Sequence, residues 1–151
     1  MNLNRYLIKI GICIATMFLS LACTKEDPIV NEPNEPQDPN AAFFSWRLDG
    51  GTQVHADSAV SYEQSHVIFA YEHGGGSLEI ILSEMKAGTY NISTATGNQL
   101  TYTQDNTMYE TTGTVNISSS TISNLSGSFD CAFKSGPYKN IKGEFKDIPK
   151  R

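Results

Sequence analysis

Residues 100–111 read LTYTQDNTMYET, two short runs of Leu, Thr, Tyr and Met with Asp105-Asn106 between them. Asp and Asn tolerate the left-handed backbone that a tight reversal demands, so this pair marks a turn. Pairing Gln104 with Thr107 across it sets Tyr102 directly opposite Tyr109. An aromatic pair in that position is a favourable cross-strand contact. The stretch therefore reads as a β-hairpin, and it sets the expectation for the rest of the chain.

Outward from the hairpin the period stays at two. Phe44, Trp46 and Leu48 alternate with Ser45, Arg47 and Asp49. Val67, Phe69 and Tyr71 alternate with His66, Ile68 and Ala70, and Leu78, Ile80 and Leu82 with Glu79, Ile81 and Ser83. Further on, Val115 and Ile117 form one such set, and Phe129, Cys131 and Phe133 another. This is the pattern of strands with one buried face. Asp49-Gly50 is a strong two-residue turn signal, since a type I′ turn needs positive φ at both positions. The glycines at 74, 75 and 76 join the run ending at Glu72 to the one opening at Ser77, while Gly88, Gly113, Gly127 and Gly143 mark strand starts or bulges. The expectation for residues 43–151 is a single all-β domain, an antiparallel β-sandwich of nine or ten short strands, with a β-barrel as the alternative.

The N-terminal part has a different composition. Arg5 and Lys9 precede an apolar run over residues 10–22, too short to span a bilayer as a helix and of the length of a signal-peptide core. Small Ala22 precedes Cys23, which resembles the lipobox of bacterial lipoproteins. Residues 1–22 are thus expected to be a lipoprotein signal peptide and Cys23 the lipidated residue; a plain signal peptide followed by a chance cysteine is the alternative. Residues 23–42 carry four prolines and five acids without an aromatic residue, a composition suited to an extended tether. Lys25-Glu26-Asp27 resembles the charged signal that directs Bacteroidota lipoproteins to the outer face of the outer membrane. That gives an expected location on the outer membrane facing the exterior, with its periplasmic leaflet as the alternative.

From Cys23 onward nine basic residues stand against 16 acidic ones, a formal charge of −7. Nucleic acid is an unfavourable partner for such a surface. Of three cysteines, Cys13 falls in the leader and Cys23 at the lipid site, so Cys131 has no disulfide partner and reads as a small buried hydrophobe between Phe129 and Phe133. His55, His66 and His73 lack metal-ligand spacing, and no cofactor motif occurs. There is no Gly-x-Ser-x-Gly elbow either. Glu72, Glu79 and Glu84 are the one carboxylate group that the glycine hairpin brings near one another, with Glu72 and Glu79 close to opposite; glycosidase chemistry needs such a pair. The expectation is no enzyme.

Phe44-Ser-Trp-Arg-Leu-Asp49-Gly50, Lys86-Ala-Gly88-Thr-Tyr90, Gly113-Thr-Val-Asn-Ile117, Ile122 with Leu125-Ser-Gly127-Ser-Phe129, and Gly143-Glu-Phe145 together resemble a family of uncharacterised Bacteroidota lipoproteins. The resemblance covers most of the domain. Its shared positions are turn glycines and core residues, so it implies a fold and no catalytic residue. Aromatic residues supply the functional clue, because sugars stack on flat rings beside polar groups. Tyr102 and Tyr109 are the candidate binding residues if they point outward, and core if inward; Trp46 reads as core. Asp57-Ser58-Ala59 resembles the site at which Bacteroidota O-glycosylate exported proteins, which makes Ser58 a candidate. The expected function is a lipid-anchored, non-catalytic extracellular binding module, for glycan among other ligands. The alternative is a structural or protein-interacting component of an envelope assembly, suggested by the lysine-rich stretch from Lys134 to Arg151.

Overall fold

The computed structural model describes residues 41–151 apart from Gly75, and these form an all-β domain. Ten strands follow one another: β1 (Phe43–Leu48), β2 (Val54–His55), β3 (Ser58–Tyr62), β4 (Val67–Glu72), β5 (Gly76–Ile81), β6 (Gly88–Ile92), β7 (Gln99–Gln104), β8 (Thr107–Ser120), β9 (Asn124–Phe133) and β10 (Asn140–Pro149). They make one antiparallel sheet in the order β2-β1-β10-β9-β8-β7-β5-β4-β3, with β6 also on β8. The sheet curls strongly into a half-barrel around a single core.

Long β8 is what joins the two halves. Residues 107–110 pair with β7, residues 113–117 with β6, and residues 111–120 with β9. One edge strand, β3, comes round to the C-terminal end of β10, the third strand from the other edge. There the Arg151 N–H donates to the Ser61 carbonyl at 2.8 Å, and the Glu63 N–H donates to the Arg151 carbonyl at 3.1 Å. Lys150 Nζ lies 3.2 Å from Glu63 and 3.0 Å from Ser120 Oγ. These contacts cover polar edge groups that would otherwise template pairing with another chain.

The core follows from the register. Trp46, Gly143, Phe129, Val115 and Tyr90 lie in one inward row across five strands, and Phe44, Phe145, Gly127 and Ile117 in the next. Large and small residues alternate along the first row, and in the second Gly127 makes room beside two neighbouring phenylalanines. Phe44 and Phe145 stack with centroids 5.4 Å apart and planes at 10°. A Cβ on Gly143 would collide with the Phe129 ring and the Ser45 carbonyl. The expectation of short strands therefore fails for β8, β9 and β10, which have 14, 10 and 10 residues. Gly113, Gly127 and Gly143 sit inside them, making room for neighbouring rings and backbone rather than ending the strands.

The turn signals hold. Asp49 and Gly50 have φ of 51° and 71°, and Asp105 and Asn106 of 50° and 60°, as type I′ turns require. Gln104 pairs with Thr107 and Tyr102 with Tyr109. After Asp49-Gly50, however, Trp46 pairs with Val54 where a tight hairpin would set it opposite Gln53, so the returning chain carries one extra residue. Asp49 has a second role that its turn does not announce. Its carboxylate accepts the N–H groups of Lys139 and Asn140, both at 2.8 Å, fastening the loop between β9 and β10.

Candidate functional site

Cys23, the leader and the tether up to residue 40 lie outside the described residues. Tyr102 and Tyr109 do not form an outward strip, and the reason is the register of the hairpin. Tyr102 shares the inward face of β7 with Leu100 and is 4% exposed. Its ring meets those of Trp46, Tyr109, Phe133 and Tyr138 at centroid distances of 6.1–6.4 Å. Its hydroxyl donates to Gln104 Oε1 at 3.3 Å, and the same oxygen accepts the Tyr138 hydroxyl at 2.5 Å. Burial, with Tyr138 and Glu72 nearby, pushes the Tyr102 phenol from 10.0 up to about 12. Tyr109 is half-buried, with Gly136 close against its ring. The pair belongs to an aromatic plug at the end of the domain where β7 turns into β8.

Other candidates fall apart or fall into the core. Three residues separate Glu72 from a partner position opposite Glu79: Glu72 pairs with Gly76, and Glu79 with Phe69. The loop between β4 and β5 has three residues, which fixes that register. Glu84 is in an ion pair with Lys86 at 2.8 Å. Cys131 is 2% exposed, and burial raises its thiol above the ordinary range. Within the lysine-rich C-terminal stretch, Lys134 pairs with Glu110 and Lys142 with Asp130, each at 2.7 Å. Among the described residues no three His, Cys, Asp or Glu side chains converge as a metal site would need. Ser58 is exposed at the start of β3.

A different face carries the exposed aromatics. On β4 the inward residues are Ile68 and Ala70, both fully buried, whereas Phe69 and Tyr71 are 36% and 42% exposed. Register extends this outer face into three rows. Ser58, Tyr71, Ser77, Thr103 and Met108 form the first across β3, β4, β5, β7 and β8. Val60, Phe69, Glu79, Thr101 and Glu110 form the second. Tyr62, Val67, Ile81 and Gln99 form the third, with Tyr62 also exposed.

Beside Tyr71 the face hollows into a cleft of about 240 Å³ lined by Tyr71, Gly76, Ser77, Thr103, Asp105 and Asn106. A flat ring thus stands next to two hydroxyls, a carboxylate and an amide. Such a set can stack on the apolar face of a small polar molecule and hydrogen-bond its edge. Another cleft, of about 220 Å³, lies on the outer face of β1 and β10. It is lined by Arg47, Gln53, Lys142 and Glu144 among others, and it offers no exposed ring. The sequence held a signal for the aromatic face in Val67-Ile-Phe-Ala-Tyr71, where both alternating sets are apolar. A strand with two apolar faces in an otherwise one-faced sheet has one of them uncovered.

An all-β curled-sheet domain with an aromatic and hydroxyl-bearing outer face defines the class. The chain belongs to the family described as a domain of unknown function, DUF6252, whose model matches residues 47–149. That span runs from the last two residues of β1 to the end of β10. No curated protein and no solved structure matches the chain.

Proposed function

We propose that this protein is a lipid-anchored, non-catalytic envelope module that holds a glycan on the outer face of β4, β5 and β7. The observation that carries the reading is Tyr71, an exposed ring at the rim of a cleft whose other side chains are Ser77, Thr103, Asp105 and Asn106. Binding of this kind needs a preformed polar and aromatic surface and no acid–base pair. The anchor rests on the sequence: a signal peptide over residues 1–22, lipid on Cys23, and a proline-rich acidic tether to residue 42. This is the organisation of a Bacteroidota surface lipoprotein.

A glycan array probed with the mature protein in detergent tests the ligand. The reading predicts hits that vanish in Tyr71→Ala and persist in Tyr109→Ala. An array without Tyr71-dependent hits overturns it. Lipidation is tested separately: a Cys23→Ser chain is expected to leave the membrane fraction, and its retention there contradicts the anchor. Modification at Ser58 predicts a mass shift abolished by Ser58→Ala; an unmodified wild-type mass disposes of it.

A further inference from the structure

We infer that the ligand is an uncharged, extended saccharide chain that lies along β4 over Tyr71, Phe69 and Tyr62. This rests on the glycan reading and assigns the ligand's length and charge.

The length follows from register. Tyr71 and Phe69 are two residues apart on one strand, hence about 7 Å apart on the same face. Tyr62 stands opposite Val67, two residues further along β4, so it lies diagonally from Phe69 on the neighbouring strand at roughly 7 Å. The three side chains form an oblique line running from the cleft toward the other end of the domain. All three are exposed, at 42%, 36% and 44%. One sugar ring covers one of these platforms, so a single residue uses only part of the surface. A chain of at least three stacks on the whole line.

Charge follows from what the rows contain. No Lys or Arg occurs in the three rows, whereas Glu79 and Glu110 do. Asp57 borders the first row, and Asp105 lines the cleft. Lys134 reaches toward the face but is paired with Glu110 at 2.7 Å. At the Tyr71 and Phe69 end a uronic or sialic acid would meet carboxylates without a compensating cation, Arg151 lying at the far end of the line beside Tyr62, while neutral hydroxyls meet Ser58, Ser77 and Thr103. Tyr71 is flanked by the hydroxyls of Ser58 and Ser77 and Phe69 by Glu79, whereas Val60, Val67 and Ile81 adjoin Phe69 and Tyr62. The hydroxyl-bearing end at the cleft is where a saccharide makes its polar contacts.

Calorimetric titration of the mature protein in detergent tests this, using neutral gluco-, manno- and xylo-oligosaccharides of one to six units and galacturonate oligomers of equal length. Affinity for the preferred neutral series should rise at least tenfold from one to three or four units and then level off. Phe69→Ala and Tyr62→Ala should each weaken the longer ligands about fivefold and leave the monosaccharide unchanged, with Tyr71→Ala weakening both. These side chains are on the surface, so thermal unfolding near the wild-type temperature will verify that each variant is folded. Length-independent affinity that still needs Tyr71 overturns the extended chain and leaves the glycan reading intact. Tighter binding of galacturonate overturns the charge assignment alone. Absence of saccharide binding, or capture of a protein through Phe69 in its place, overturns both.

Discussion

Replacing Tyr102 and Tyr71 by alanine, one at a time, separates a core residue from a binding residue that has the same chemistry. Tyr102 is 4% exposed and touches four aromatic rings, so truncation removes a side chain that buries roughly 150–250 Å². At about 25 cal/mol per Å² that corresponds to roughly 4–6 kcal/mol of transfer free energy, an upper estimate because unfolded chains already bury part of it. Measured truncations of large aromatics in cores cost about 3–5 kcal/mol. In Tyr102→Ala, Gln104 keeps its bond from Tyr138, so no polar group is orphaned and the lower half of that range applies. The expected loss is about 3–4 kcal/mol. Tyr71→Ala opens no cavity, and its expected change stays within about 1 kcal/mol. Urea unfolding followed by tryptophan fluorescence reads both, since Trp46 is the single tryptophan and lies 6.4 Å from the Tyr102 ring. Equal losses in the two variants, or a larger loss in Tyr71→Ala, would refute the assignment of faces on which the proposed site depends.

Three other outcomes follow from the packing and the titrating groups. Gly143→Ala should destabilise by several kcal/mol, on the order of the overpacking penalty or above it, because a methyl there meets both the Phe129 ring and the Ser45 carbonyl; a melting temperature within 2 °C of wild type, roughly what under 1 kcal/mol gives, contradicts the row geometry. Because the Tyr102 phenol is raised from 10.0 to about 12, its contribution to stability is complete below pH 10 and is lost as pH rises through 12. Tyr102→Phe should flatten the stability profile over that window, and an unchanged slope contradicts the shift. The Cys131 thiol, buried and raised, should resist a thiol reagent at pH 7–8 and react on unfolding, so labelling of the native protein within minutes would contradict its burial.

Much of this fold was legible because local chemistry and register agree. Asp105-Asn106 has only one comfortable turn, and that turn alone places Tyr102 against Tyr109. What the pair then does depends on which face of β7 looks inward, and a period of two cannot choose between faces. The same ambiguity hid the candidate site. In β4, Ile68 and Ala70 compete with Phe69 and Tyr71, and volume decides: inward Ala70 stands opposite Ala59 and Leu78, where an aromatic side chain would not fit in the curled interior. Strand length was misjudged for a related reason. Glycine reads as a break, yet Gly143 and Gly127 are gaps into which the rings of Phe129 and Phe145 pack. The near-opposition of Glu72 and Glu79 failed because a glycine loop does not reveal its own length. Asp49 was legible as a turn residue but not as a fastener, since Lys139 and Asn140 are about ninety positions away.

The central claim is that ligand binds the face bearing Tyr71. An NMR titration of the isotopically labelled mature protein with its best array glycan addresses it residue by residue. Shift changes concentrated at Tyr71, Ser77, Thr103, Asp105 and Asn106, with the Arg47 and Lys142 region silent, are the predicted result. Changes centred instead on Arg47, Gln53, Lys142 and Glu144 would contradict the account and move the site to the opposite half of the sheet.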